Sequence, residues 1–179
     1  YELETISLGL PFYATFFNPG GWGKEFASYM DNYTKTAGLW IVGEDMPQAT
    51  NRVTLNKESL DQLGLPVPNV HYDDHPNDVA MRDHAFKQSV ALYDAAGAKQ
   101  SFKTPPYPST HNLGTCRMSE NAEDGVCNSY GQTHDIDNLF ISDGSQFTSS
   151  AAENPTLTIV ALAIRQAEYI AKSMEQLMI

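Results

Sequence analysis

The strongest constraint on how this chain folds lies near its end, where Asn154-Pro155-Thr156 precedes a long apolar periodic run. Asparagine is a favoured helix N-cap, because its side-chain oxygen accepts from a free N–H of the first turn. Proline suits the first helical position, where its missing N–H has no intrahelical bond to lose. Leu157, Val160, Ala161, Ile164, Ala167, Ala171 and Met174 then recur at three-to-four spacing and make one apolar stripe. Arg165, Glu168 and Lys172 fall off that stripe, to face outward or meet a partner. The pattern predicts a helix capped by Asn154 and opened by Pro155.

Upstream, the periodicity changes. Residues 1–20 read as a loop or short extended pieces, and Phe26, Tyr29, Met30 and Tyr33 give a short amphipathic helix from Lys24 to about Tyr33. Strands are predicted at 39–43, 51–55 and 66–72, with Gly64 in the connection. Asn77 or Asp78 is a candidate cap for a helix reaching about Tyr93 and ending near Gly97. Residues 99–110 hold three prolines and should be irregular. Asn138 to Gly144 reads as a short strand delivering Asp143 and Gly144 at its carboxyl end, where open parallel sheets bind ligands. The expected class is α/β of the α+β kind, an antiparallel sheet with helices, followed by one closing strand and helix.

A formal charge of -11 argues against nucleic acid or anionic lipid as partner, since both call for clustered Lys and Arg. No transmembrane segment is expected, as Arg165, Gln166 and Glu168 interrupt the best apolar run. The chain opens Tyr-Glu-Leu-Glu, without initiator Met or leader, so a processed protein or a piece of a larger one is expected. Cys116 and Cys127 are too few for a four-ligand metal site; two reduced thiols and a disulfide both stay open, and with them the redox compartment. Localisation stays open between cytoplasmic and periplasmic, soluble or peripherally attached. His71 and His75 do not make a helical zinc pair, because Pro76 and the strand-like residues before them oppose a helix. No metal site is predicted, and no Gly-x-Ser-x-Gly elbow surrounds Ser145, Ser149 or Ser150.

The chemistry concentrates in three segments. His111 opens His-Asn-Leu-Gly-Thr-Cys-Arg-Met, and imidazole is the side chain best suited to base work near neutral pH. The plain alternative is a hydrogen-bonded loop histidine. Asn154 reads first as a helix cap, with a free amide face available to a ligand. Thr156 contributes a first-turn N–H, which with the helix dipole favours an anion or a carbonyl gaining negative charge. Asp143-Gly144 fits a ligand-binding turn, although Asp-Gly is also a common turn pair.

His111 to Met118 resembles the catalytic-histidine motif of the glucose–methanol–choline oxidoreductases. Leu139-Phe-Ile-Ser-Asp-Gly-Ser145 and Asn154-Pro-Thr-Leu-Thr158 look like that family's closing flavin-contact segments, in the right order. Met46 to Leu55 and Gly64 to Pro68 are similar to its substrate-domain strands. The resemblance implies the C-terminal portion of an FAD enzyme, with residues 1–105 in the substrate domain and 106–179 closing the FAD-binding domain. It implies His111 as the base near flavin N5, and Asn154 as the second active-site residue holding the alcohol oxygen. Asp143 and Gly144 would meet the FAD ribityl-diphosphate region, and Asn154, Pro155 and Thr156 its pyrimidine end. The implied reaction oxidises CH–OH in an alcohol, polyol or sugar, with a quinone or cytochrome as acceptor if the enzyme is a dehydrogenase. The Gly-x-Gly-x-x-Gly motif that holds the ADP part of FAD is absent, so a missing N-terminal FAD-binding portion is the expected partner. Alone, the chain is expected to be inactive; a catalytically silent binding or assembly module is the alternative.

Overall fold

The computed structural model describes residues 1–6, 9, 13–15, 20–105 and 110–177. Within them lies a mixed α/β arrangement of antiparallel strand pairs and helices, grouped in two compact units: Tyr1–Gly43 with Ala80–Pro108, and Glu44–Val79 with Ser109–Ile179. These units group residues by proximity, and the expected division between 105 and 106 stands as a proposal.

In the first unit, β1 (Glu2–Ile6) pairs antiparallel with β2 (Gly38–Val42), from Glu2 opposite Val42 to Ile6 opposite Gly38. The expected short extended piece near the start is this strand. Helix α1 (Gly23–Asp31) and a 3₁₀ turn (Tyr33–Lys35) cover the predicted helical stretch. Their aromatic positions meet Tyr13, which is buried: Tyr29 stacks on it with centroids 4.7 Å apart, and Tyr33 meets it edge-on at 5.0 Å. The Tyr13 hydroxyl donates to Thr36 Oγ1 at 2.9 Å, so a buried polar group is satisfied.

In the second unit, β3 (Arg52–Leu60) pairs antiparallel with β4 (Pro66–His71). β3 runs past the expected end at Leu55. There the register shifts, and Asn56 Oδ1 accepts from the backbone of Glu58 (2.8 Å) and Ser59 (3.0 Å), which offsets the interrupted ladder.

Helix α2 (Pro76–Ala95) begins two or three residues earlier than expected, and neither Asn77 nor Asp78 is its cap. The cap is His75, whose Nδ1 accepts from Asn77 N at 3.1 Å, while buried Asp78 reaches back to His75 N at 3.2 Å. This is a reciprocal capping box built from His and Asp. At the other end, Gly97 takes a positive φ of 83° and Ala98 N closes onto Tyr93 O at 2.9 Å, a glycine C-cap.

Residues 138–144 depart from expectation. Instead of a strand there is a single bridge, Gln132 opposite Phe140. A strand needs a neighbour along its length, and here the backbone bonds go to a turn: Ile141 N to Gly131 O at 2.7 Å, Thr133 N to Leu139 O at 2.9 Å.

Helix α3 (Thr156–Glu175) starts one residue late. Pro155 occupies the half-in position (φ -84°, ψ -6°), its carbonyl accepting from Ile159 N at 3.0 Å, and it has no side-chain cap bond to offer the first turn. The expected apolar stripe faces outward, with Leu157 84% and Ile164 59% exposed. The opposite side packs inward instead, through Ile159, Leu162, Ala163, Gln166, Tyr169, Ile170 and Ser173. Tyr169 stacks on Tyr130 at 4.2 Å, and Arg165 lies over the same ring at 4.3 Å while donating to Ser129 O.

Candidate functional site

All the predicted site residues fall in the second unit, where three segments converge on Gly144. A side chain on this buried glycine would meet Leu113 Cδ2 at 2.6 Å and Ile159 Cδ1 at 3.3 Å, with Asn112 O 3.9 Å away. The residues following His111 therefore rest on the Asp143–Gly144 turn, and the first turn of α3 closes the same spot through Ile159. Two backbone bonds extend the seam: Cys116 N to Ser145 O at 2.9 Å and Met118 N to Gln146 O at 2.8 Å. His111 itself is exposed at the head of this seated loop.

Gly114 has a local purpose. Its φ is 82°, and a Cβ there would lie 3.3 Å from Phe147 O, so it permits the loop's turn and its approach to the neighbouring carbonyl. Asp143 caps the 3₁₀ turn Gly144–Gln146, its Oδ1 accepting from Ser145 N at 2.8 Å. Hydrogen bonds from Ser145 hold the Asp143 carboxyl below the usual carboxylate range, with burial opposing weakly. Asn154 and Thr156 are exposed and Pro155 half-buried. Asn154 lies one residue outside the position from which it was expected to cap α3.

Sequence reasoning missed the residues that hold this floor in place. Gln166 and Gln146 are buried, and Gln166 Nε2 donates to Ile141 O at 2.7 Å and Tyr130 O at 3.0 Å. Gly131 leaves room for that amide: a Cβ on it would overlap Gln166 Nε2 and sit 2.5 Å from Ile141 O. The available signal was a glutamine on the helix face opposite the apolar stripe, with no reason in sequence to place that face inward. Both cysteines are free thiols; Cys127 is fully buried, its Sγ donating to Cys116 O at 3.4 Å, and burial pushes its thiol pKa up. No helix among the described residues is long and apolar enough to cross a membrane.

Comparison with known proteins places this geometry in context. The GMC oxidoreductase family model matches residues 47–163. The chain is 39% identical over 155 residues to a 2-methyl-1,2-propanediol dehydrogenase of Mycolicibacterium austroafricanum, covering 84% of this chain and 28% of that protein. It is 32% identical over 136 residues to the fructose dehydrogenase large subunit of Gluconobacter japonicus, covering 74% and 25%. A C-glycoside 3-oxidase of Arthrobacter globiformis is 35% identical over 132 residues, covering 71% and 25%. The chain thus spans about a quarter of the length of these curated relatives.

Proposed function

The chain belongs to the GMC oxidoreductase family, and from that premise we propose that it is the C-terminal part of an FAD-dependent enzyme oxidising a CH–OH group of an alcohol, polyol or sugar. One observation carries the reading: the His111 loop is seated on the Asp143–Gly144 turn, against the opening turn of α3. Residues 1–105 then supply substrate-domain elements, and 106–179 the catalytic loop and closing segment of the cofactor domain.

The residues present suit a flavin. Pro155 puts no side-chain cap on the first turn of α3, which suits its N–H groups to a carbonyl that gains negative charge. Asp143 has lone pairs beyond those used by Ser145 for a ribityl hydroxyl, and Gly144 keeps the backbone bare beside it. Asn154, Pro155 and Thr156 would border the pyrimidine end. A flavin held there would supply a two-electron acceptor for the hydride of the substrate C–H. His111 takes the hydroxyl proton of the substrate, and the Asn154 amide holds its oxygen so that the C–H stays aimed at the acceptor. That His111 and Asn154 work on one oxygen is part of this proposal. Among the relatives are proteins named as dehydrogenases and as oxidases; a quinone or cytochrome acceptor is proposed for the former mode.

The test uses the chain co-expressed with the N-terminal portion of a relative or of its own upstream frame. Alcohol-dependent dye reduction and a bound flavin spectrum are expected, and His111→Ala should lower kcat by about 10²–10⁴-fold with the flavin retained. Full turnover in the His111→Ala protein would refute His111 as the base. A complex that carries no flavin would refute the family reading of the site and favour a silent assembly module.

A further inference from the structure

We infer that Gln166 is a positioning residue for the cofactor-facing turn: its single amide nitrogen fixes where Asp143–Gly144 sits relative to α3 and, through Gly144, where the His111 loop rests. The inference rests on the reading of Asp143–Gly144 as a flavin contact, but its geometry is independent of it. Gln166 is 6% exposed, and its Nε2 is spent on two main-chain carbonyls from separate loop segments, Tyr130 O and Ile141 O. Both amide hydrogens are thereby used. Ile141 stands two residues before Asp143, and its own N–H is held by Gly131 O at 2.7 Å.

The surroundings leave this amide little freedom. Gly131 has no side chain where Gln166 enters, and the Oε1 of buried Gln146 would lie 3.2 Å from a Cβ placed there. From Ile141 the connection passes to Gly144, whose bare Cα seats Leu113, and to Ser145 and Gln146, whose carbonyls accept from Cys116 and Met118. A helix that supplies first-turn donors at one end thus also anchors, from its middle, the turn those donors work beside. An apolar residue at 166 would leave the Tyr130 and Ile141 carbonyls without this donor, and the segment 141–144 would shift to find others. Gln166 touches no reacting atom in this scheme and acts through the backbone of Ile141.

Asp143 gives a readout that mere loss of stability does not move. In the wild-type chain, the Ser145 amide resonance should titrate with the Asp143 carboxyl below the ordinary carboxylate range. Gln166→Met keeps length and removes the donors; the titration midpoint is expected to move up towards the ordinary value. Ile170→Ala removes packing from the same helix face and serves as the control for general loosening, with its midpoint unmoved. Gln166→Asn, too short to reach both carbonyls, provides the same reading if the methionine variant fails to fold. An unmoved midpoint in a folded Gln166 variant, or an equal shift in Ile170→Ala, overturns the inference. In the flavin-bearing complex, Gln166→Met should weaken flavin binding by about tenfold, and unchanged affinity there also counts against it. A wild-type complex that binds no flavin refutes the proposed function and leaves the titration result standing.

Discussion

Gly131 is the residue whose replacement the structure resists most clearly. Its φ of 71° lies in the left-handed region, and a methyl group there would press on the Ile141 carbonyl and the Gln166 amide. Gly131→Ala is expected to destabilise the chain by about 1–3 kcal/mol, read by urea unfolding; an unchanged midpoint would deny the close packing. Asp143 bears on pH dependence. Its folded pKa is depressed, so its contribution to stability is present above the unfolded carboxylate value and is lost as pH falls through the folded one. The stability gap between wild type and Asp143→Asn should therefore be visible at neutral pH and close in acid. The gap will be small, because the carboxylate is exposed. The thiols give a third check: buried Cys127 should alkylate far more slowly than half-buried Cys116 in the folded chain, and equal rates would contradict its burial.

At the scale of elements, α3 carries the lesson. Its existence and its length follow from spacing, yet its orientation reverses the expected one. Both sides of this helix are apolar enough to be buried, and a periodic pattern says which residues share a face without saying which face meets this chain's own loops. The inward side wins here because it brings Gln166 to two carbonyls and Tyr169 onto Tyr130. The stripe from Leu157 to Met174 is left exposed as an adhesive surface. Self-association of the isolated chain is expected, and the pair Val160→Lys with Ile164→Lys should shift it towards monomer in sedimentation velocity at nearly unchanged stability. Undiminished self-association in that variant would place the contact elsewhere. The segment 138–144 misled for a related reason. Its apolar run Leu139–Phe140–Ile141 before Asp143–Gly144 fits a short strand, but a strand is a relation between two segments, and its backbone partners here are in the 131–133 turn.

At the scale of the whole molecule, only Tyr13, Ala85 and Cys127 count as buried apolar residues among those described, although 41% of the chain is hydrophobic. So little internal burial, together with relatives about three times as long, supports the proposal that function needs a further portion of protein. The chain alone is expected to bind FAD weakly and to show no turnover. Tight stoichiometric binding with alcohol-dependent reduction, followed by fluorescence, would overturn that. Local chemistry alone was enough for the strands near β2 and β4, each within a residue of its observed ends, the glycine stop after α2, the α3 helix, and the motif segments holding His111, Asp143, Gly144 and Asn154 that carry the family resemblance. What depends on groups distant along the chain came only with the fold: Gly144 as the meeting point of three segments, and Gln166 as their anchor. Local rules act over a turn or a strand pair, whereas a buried amide's partners are chosen by whichever carbonyls the fold leaves unsatisfied beside it.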